Sequence, residues 1–247
     1  MARSALLRQP STFVSSCAAL LRLSARNGRV SAKKMVFDGI DLTNASERTM
    51  RRIRGARISM IMQDPRYSLN PVVKVGDQIA EAYRIHTGAS ARKARDRAME
   101  MLETVRIREA GKVYDLYPHQ VSGGMGQRVM IAMMLIPEPD VLIADEPTSA
   151  LDVTVQMQVL ALLDDMVRER GMGLVLISHD LNLVASFCDR VMVMYGGRVM
   201  EVLEAGRLHE AQHPYTRGLL NCLPSLEHPQ DMLPVLTRDA GWLEEAR

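Results

Sequence analysis

The sequence has few cysteines and no long apolar run. Its three cysteines, Cys17, Cys188 and Cys222, are widely spaced and form neither a C-x-x-C pair nor a His/Cys cluster at ligand spacing. This usage fits a reducing compartment and argues against a disulfide framework or a structural metal site. The longest nearly uncharged apolar stretch of the amino-terminal region, residues 13–21, is far shorter than the ~20 residues of a membrane-spanning helix. We therefore predict that the chain does not cross a bilayer by itself.

An excess of charge of one sign is also missing from the whole chain. The 31 basic and 29 acidic side chains leave a net charge of +2, so no nucleic-acid partner is expected on charge. Residues 1–37, by contrast, contain seven Arg or Lys, several serines and no acidic residue. That composition is typical of an organellar transit peptide. The alternative is a divergent or truncated start to the domain that follows, and later residues favour it.

Apolar runs and helical stripes predict an α/β organisation. At 247 residues with 47% hydrophobic content, the chain can bury a full core. Between residues 152 and 170 apolar side chains recur at helical spacing, with Asp152 placed to cap the helix and Gly171 just past its end. Short apolar runs predict buried strands of a largely parallel sheet. These runs are residues 58–62, 141–144, 174–177 and 191–195.

The middle of the chain has a different pattern. Residues 76–106 contain no strand-like run, and a clean helical stripe follows a Ser90 cap. Its members are Ala94, Ala98, Met101, Leu102 and Val105. Residues of about 66–135 are therefore predicted to form a helical insertion inside an α/β core. From residue 224 onward few apolar residues are periodic, which predicts a loose tail.

Two adjacent carboxylates follow the predicted strand at 141–144. A buried strand would deliver Asp145 and Glu146 at its carboxyl end, where α/β folds place their ligands. In nucleotide hydrolysis the first carboxylate of such a pair holds magnesium and the second polarises the attacking water. An isolated Asp-Glu pair is more often the start of a solvated loop, so the neighbouring motifs decide between the two interpretations.

Ser122-Gly123-Gly124 precedes an apolar helix predicted over residues 125–136, which ends before Pro137. A serine and two glycines at a helix start let bare backbone N–H groups approach an anion, and the helix dipole adds to the attraction. The alternative is an ordinary flexible turn capped by serine.

Together these strings resemble the ATP-binding cassette (ABC) family of transporter subunits, over about residues 35–223. VSGGM at 121–125 is similar to the signature motif, 141–146 to the Walker B strand, 149–152 to the D-loop, Gln63 to the Q-loop glutamine and His179 to the switch histidine. The resemblance implies an α/β cassette core of the P-loop nucleotide-hydrolase type, with an inserted α-helical signature subdomain and an incomplete amino terminus. It implies three parts of the chain: a divergent or truncated amino terminus at residues 1–34, the ATP-binding domain at 35–223, and a carboxyl-terminal tail of the peptide-importer type at 224–247.

The resemblance also assigns roles, cofactors and partners. It implies catalytic roles for Glu146, His179 and Gln63, contact with ATP for Ser122, Gly123, Gly124 and Asp152, and Mg²⁺ held by Asp145 and Gln63. A lone histidine after a strand is more often structural, and the role of His179 follows only from the order of the motifs. The implied partners are a second ABC ATP-binding subunit, two membrane-spanning permease subunits and an extracytoplasmic solute-binding protein, at the cytoplasmic face of a bacterial inner membrane.

Three further strings resemble the oligopeptide and dipeptide importer branch of the family. They are QDPRYSLNP at 63–71, YPHQ at 117–120 and HPYTRGLL at 213–220. That branch also includes nickel importers, so the solute stays open. HPYTRGLL and the single cassette argue against a third candidate, a cassette ATPase of DNA repair or translation.

The sequence departs from the family at the phosphate-binding lysine. No G-x-x-x-x-G-K-[ST] pattern occurs in it, and no lysine precedes Lys33. Alignment puts the P-loop lysine near residues 9–14, within LLRQPSTFVSS, although residues 12–23 still resemble the helix that follows a P-loop. The family's upstream strands and its adenine-stacking aromatic residue have no counterpart, and Gly126 stands where the family usually has arginine.

Two functions fit these observations. In the first, the chain is an ATP-binding, energy-coupling subunit of a transporter complex that imports peptides. It lends its signature motif to a composite ATP site shared with a partner cassette, and it does not hydrolyse ATP alone. In the second, it is an inactive remnant or a structural cassette module.

Overall fold

Strands and helices alternate along most of the chain. The computed structural model describes residues 3–7, 13–24, 28–149, 151–223, 236, 239, 241 and 242. The strands in these ranges are β1 Arg3–Leu7, β2 Val36–Phe37, β3 Ile40–Asp41, β4 Ile58–Ile61, β5 Val141–Asp145, β6 Gly173–Ser178, β7 Arg190–Tyr195 and β8 Arg198–Glu204. The α-helices are α1 Phe13–Leu20, α2 Glu47–Ile53, α3 Pro65–Ser68, α4 Val75–Thr87, α5 Ala91–Thr104, α6 Ala110–Tyr114, α7 Gly123–Leu135, α8 Val153–Arg170, α9 Leu181–Phe187 and α10 Pro214–Asn221. Short 3₁₀ helices cover Pro118–Gln120 and Ala205–Glu210.

The chain divides into two compact units, and residues Ala18–Leu174 form the first. Its strands β4 and β5 pair in parallel, with Ile58 opposite Val141 and Ile61 opposite Ala144. Every residue of β4 is buried, as expected for a strand covered on both faces. Parallel pairing places the carboxyl ends of β4 and β5 at the same edge, which positions the residues that follow them.

The helical insertion expected in the middle of the chain is present as helices α3 to α7. Ser90 caps α5 by accepting a hydrogen bond from the backbone N–H of Lys93. The predicted stripe is the buried face of α5, since Ala94, Ala98, Met101 and Leu102 are all 0% exposed. None of the helices within the described ranges has both the length and the apolar character needed to cross a bilayer.

Helix α8 begins and ends where the sequence predicts. Asp152 is its N-cap and accepts a hydrogen bond from the N–H of Val155, and Gly171 ends it in the left-handed conformation. A left-handed residue at this position favours glycine because glycine has no Cβ to clash.

An arginine ties the segment after α1 to the rest of the first unit. The Arg22 guanidinium donates to the carbonyl oxygens of Leu42, Thr43 and Ala45. Arg54 donates in turn from Nε to the Leu21 carbonyl at 2.6 Å. Carbonyl groups at a helix end need such partners, so residues 21 and 22 are integrated into this unit.

The second unit, which includes residues 2–17 and 175 onward, contains strands in the order β6-β1-β7-β8. Strand β1 pairs with β7 in parallel, so the expectation that no upstream strand has a counterpart is wrong for residues 3–7. Residues 8–12, where most of the predicted P-loop position falls, lie outside the described residues. Strands β7 and β8 are antiparallel, joined through Gly196 and Gly197, both at positive φ, as a tight hairpin turn requires.

Most of the predicted loose tail lies outside the described residues. Trp242 is described, and it is only 7% exposed. Its ring centroid lies 5.8 Å from that of Tyr195 and 5.4 Å from that of Tyr215. At this residue the prediction of a loose tail is wrong, because aromatic packing in the second unit buries the indole.

Candidate functional site

The carboxylate pair stands at the carboxyl end of β5. Asp145 is the last residue of the strand and is 2% exposed. Glu146, next in the chain, has a φ of 45°, and a non-glycine residue in this left-handed region costs about 1–3 kcal/mol. Its carbonyl accepts hydrogen bonds from the N–H and the Oγ of Ser149, at 3.3 and 3.2 Å. Strain of this kind is common at functional turns, where it points a side chain in a direction that a relaxed backbone would not allow.

Gln63 and Glu146 are brought together by the pairing of β4 with β5. Gln63 follows β4, and its Nε2 donates to Oε2 of Glu146 at 3.3 Å. Carboxylate and amide oxygens are suitable ligands for Mg²⁺, which is usually held by one or two protein carboxylates together with phosphate and water oxygens. Within the described ranges no three His, Cys, Asp or Glu side chains form a metal-binding group. The donor set fits a magnesium ion that arrives with a nucleotide.

The helix that begins at the glycines starts earlier than predicted. Helix α7 begins at Gly123, and Ser122 caps it by accepting a hydrogen bond from the N–H of Met125 at 3.3 Å. The predicted start at Met125 is wrong because glycine's low helix propensity hides a first turn that the serine cap stabilises. Gly123 is exposed, and among the described residues a Cβ built on it would meet no heavy atom within 4 Å. The helix N-terminus therefore offers open space beside unpaired N–H groups.

Asp152 and His179 lie at the ends of regular elements, Asp152 directly before α8 and His179 directly after β6. Asp152 is exposed and holds the first turn of α8 through its 3.0 Å hydrogen bond from Val155 N. His179 belongs to the second unit, where it directly follows β6 and is exposed. The next residue, Asp180, caps α9 by accepting a hydrogen bond from the N–H of Leu183 at 3.1 Å.

Sequence reasoning missed Gln127, which is 2% exposed on α7. Its Nε2 donates to the carbonyl oxygen of Pro147, the residue after Glu146. A buried amide requires a partner, and this one joins the glycine-led helix to the carboxylate turn. The only sequence signal was a single amide in a largely apolar helix, next to the charged Arg128.

A cavity of about 360 Å³ lies between α3 and the start of α7. Gly126, where the family usually has arginine, lies at its wall. The lining residues are Pro65, Leu69, Pro71, Pro118, His119, Val121, Ser122, Gly123 and Gly126.

Gly126→Ala is expected to stabilise the protein by about 1 kcal/mol, because glycine is unfavourable inside a helix. The added Cβ would lie 3.8 Å from its nearest neighbours, carbons of Pro65 and Val121, which is ordinary contact. Thermal unfolding should show a higher midpoint. Gly88→Ala is the opposite control. Gly88 ends α4 at a φ of 69°, where alanine is strained, so this change should lower the stability of the protein. An unchanged or lower midpoint for Gly126→Ala would contradict the expectation.

The fold and the site define an α/β protein with an open, serine-capped helix start and a carboxylate pair at the end of a parallel strand. The chain belongs to the ABC transporter family, whose model matches residues 15–149. It is 47% identical to the oligopeptide transport ATP-binding protein OppD of Salmonella typhimurium, over 85% of this chain and 62% of that protein. It is 46% identical to the dipeptide transport ATP-binding protein DppD of Escherichia coli, over 90% of this chain and 68% of that protein.

A solved structure supports the cassette fold. CbiO1 from Clostridium perfringens, part of the ABC transporter complex CbiONQ, matches with a TM-score of 0.71 and 26% identity, over 85% of this chain and 79% of that one. The α/β cassette with a helical subdomain is therefore confirmed. The chain spans about two thirds of the length of the curated relatives it matches.

Proposed function

We propose that this chain is an energy-coupling ATP-binding subunit of a peptide importer, and that it lends its signature segment to an ATP site shared with a partner cassette. The observation that carries the proposal is the open, serine-capped start of α7. Ser122 Oγ accepts the hydrogen bond from the N–H of Met125. The N–H groups of Gly123 and Gly124, in the first turn, have no intrahelical acceptors. Together with the helix dipole, these groups attract an anion such as a terminal phosphate.

The proposed site is composite because the sequence contains no phosphate-binding lysine motif. A lysine about 4 Å from a phosphate contributes on the order of 4 kcal/mol at an effective dielectric of 20. That is roughly a thousandfold in binding. In this proposal the partner cassette supplies the P-loop, and ATP lies between that P-loop and the α7 N-terminus. ATP and Mg²⁺ are thus bound in the assembled pair.

By the order of the motifs, Asp145, Glu146, Gln63 and His179 would serve the second, degenerate site of the pair. Asp145 and Gln63 would hold the magnesium ion there, and Glu146 and His179 would act on the attacking water and the γ-phosphate. Asp152 would stabilise the signature side of the shared seam through its cap on α8. Because the sequence contains no phosphate-binding lysine motif for that second site, we propose that turnover takes place at the site formed with Ser122.

The names of the relatives support peptides as the solute class, since the two relatives described above are an oligopeptide and a dipeptide transport ATP-binding protein. By analogy we propose a complex with two membrane-spanning permease subunits and an extracytoplasmic solute-binding protein. The chain would then lie at the cytoplasmic face of a bacterial inner membrane as a peripheral subunit. The alternative of an inactive remnant draws no support from these relatives.

A complementation assay tests the proposal. The companion is an intact peptide-importer cassette that keeps its P-loop but whose own signature serine is replaced by arginine. We expect neither protein alone to hydrolyse ATP, and their mixture to do so, because only the mixture joins a P-loop to a working signature. This chain alone should also fail to bind a fluorescent ATP analogue at micromolar concentrations. A mixture as inactive as its components would overturn the shared site, and tight, EDTA-sensitive binding by the chain alone would overturn its composite nature.

A further inference from the structure

The second glycine of the signature segment is packed against the start of α8. A Cβ built on Gly124 would lie 2.9 Å from Cγ1 of Val155 and 3.9 Å from its Cβ and Cγ2. Non-bonded carbon atoms are attracted best at about 3.5–4.0 Å and repel strongly below that range. Gly124 is not among the residues of positive φ, so its backbone conformation does not require glycine. Its contact with Val155 does.

Val155 cannot easily move away from an added methyl group. Its N–H is held by the cap of Asp152 at 3.0 Å, and a β-branched side chain in a helix has essentially one χ1 rotamer. Farther along α8, Val159 and Leu163 are 0% exposed, which fixes the helix in the core. The start of α7 is therefore the element that must shift when residue 124 grows.

Gly123 and Gly124 differ in what a side chain would meet. At Gly123 no heavy atom from the part of the chain that the structure describes lies within 4 Å of the built Cβ, whereas at Gly124 the Val155 side chain fills that space. Gly123 therefore keeps the space at the protein surface open, whereas Gly124 leaves space for the Val155 side chain.

We propose that Val155 is a positioning residue for the signature segment. Through its contact with Gly124 it determines the position of Ser122 and Gly123 at the start of α7. Asp152 in turn holds Val155 in place through the helix cap. The aspartate of the D-loop and the glycines of the signature are thereby joined through one side chain inside the same subunit. The effect on turnover rests on the proposed function, but the packing contact does not.

The test combines Gly124→Ala, Val155→Ala and the double variant in the full chain. We expect Gly124→Ala to lower the thermal unfolding midpoint, and Val155→Ala to recover most of that loss in the double variant. In the complementation assay, Gly124→Ala should lower kcat by about tenfold or more, since small misplacements at a reacting centre have effects of this size. The KM for ATP should change little, because the companion's P-loop provides most of the binding. The double variant should regain most of kcat.

Gly123→Ala is the matched control. It should leave the unfolding midpoint nearly unchanged, and Val155→Ala should not restore any turnover that it removes. If Val155→Ala recovers neither the midpoint nor kcat of Gly124→Ala, the positioning role is wrong. Should Gly124→Ala fail to fold, a folded double variant supports the contact and an unfolded one contradicts it. If the mixture with the companion is inactive with the wild-type chain, the proposed function has failed, and the unfolding data still decide the contact.

Discussion

Ser122→Arg is expected to reduce ATP turnover by this chain and its companion cassette by about a hundredfold or more. An effect of this size is typical when a hydrogen-bond donor aligned with the charge that develops in the transition state is lost. The change deletes the hydroxyl that accepts from Met125 N, and its long side chain occupies the space beside Gly123. A phosphate group can then no longer reach the backbone N–H groups at the start of α7. ATP hydrolysis by the mixture with the companion cassette measures the effect.

Ser90→Arg is a closely matched control. Ser90 caps α5 through a hydrogen bond from Lys93 N of 3.3 Å, the same length as the bond from Met125 N to Ser122. Both changes should cost about 1 kcal/mol of helix stability, but only Ser122→Arg should stop turnover. Equal activity of the two variants would show that the α7 N-terminus does not meet the nucleotide.

Gly76→Ala is expected to destabilise the helical subdomain by about 3 kcal/mol, at the upper end of the overpacking range. A Cβ at this position would lie 2.1–2.4 Å from three ring atoms of Tyr114. That ring is 1% exposed, its hydroxyl donates to Asp77 at 3.0 Å, and the Arg95 guanidinium lies 4.1 Å from its centroid. Because these contacts fix the ring on several sides, the helices must move apart. Thermal unfolding should show a midpoint lower by about 6–12 °C.

Gly111→Ala in α6 provides the comparison within the same subdomain. Within the described ranges, the only heavy atom that the built Cβ of Gly111 would approach within 4 Å is Met99 Cε, at 3.7 Å, so the added methyl fits. This variant should be neutral or more stable by about 0.4–1 kcal/mol, because alanine restricts the unfolded chain. A Gly76→Ala protein as stable as Gly111→Ala would mean that the Tyr114 ring can be displaced at little cost.

Much of the fold could be predicted from local patterns. The apolar runs identified strands β4 to β7 because a buried strand must be apolar on both faces. The ends of α8 were predicted by Asp152 and Gly171, since capping is a local interaction between a residue and its own helix. The carboxylate pair was predicted for the same reason, because its place depends only on the strand that precedes it.

Other elements had no local signal. Strand β8 has only exposed and half-buried residues, and it forms because the Gly196-Gly197 turn returns the chain along β7. Strand β1 depends on its pairing with β7, more than 180 residues away in the sequence. The start of α7 was predicted two residues late, because the serine cap outweighs the low helix propensity of the glycines.

The sequence by itself determined the family, the order of the motifs and the residue types that can meet a phosphate or a magnesium ion, because these are properties of short segments. Only the tertiary structure decided which of these segments touch. The hydrogen bond from Gln63 to Glu146 follows from the parallel pairing of β4 with β5, that from Gln127 to Pro147 follows from the placement of α7, and Val155 meets Gly124 because α8 lies beside it. Such contacts join residues that are distant in the chain, so packing fixes them and local propensity does not.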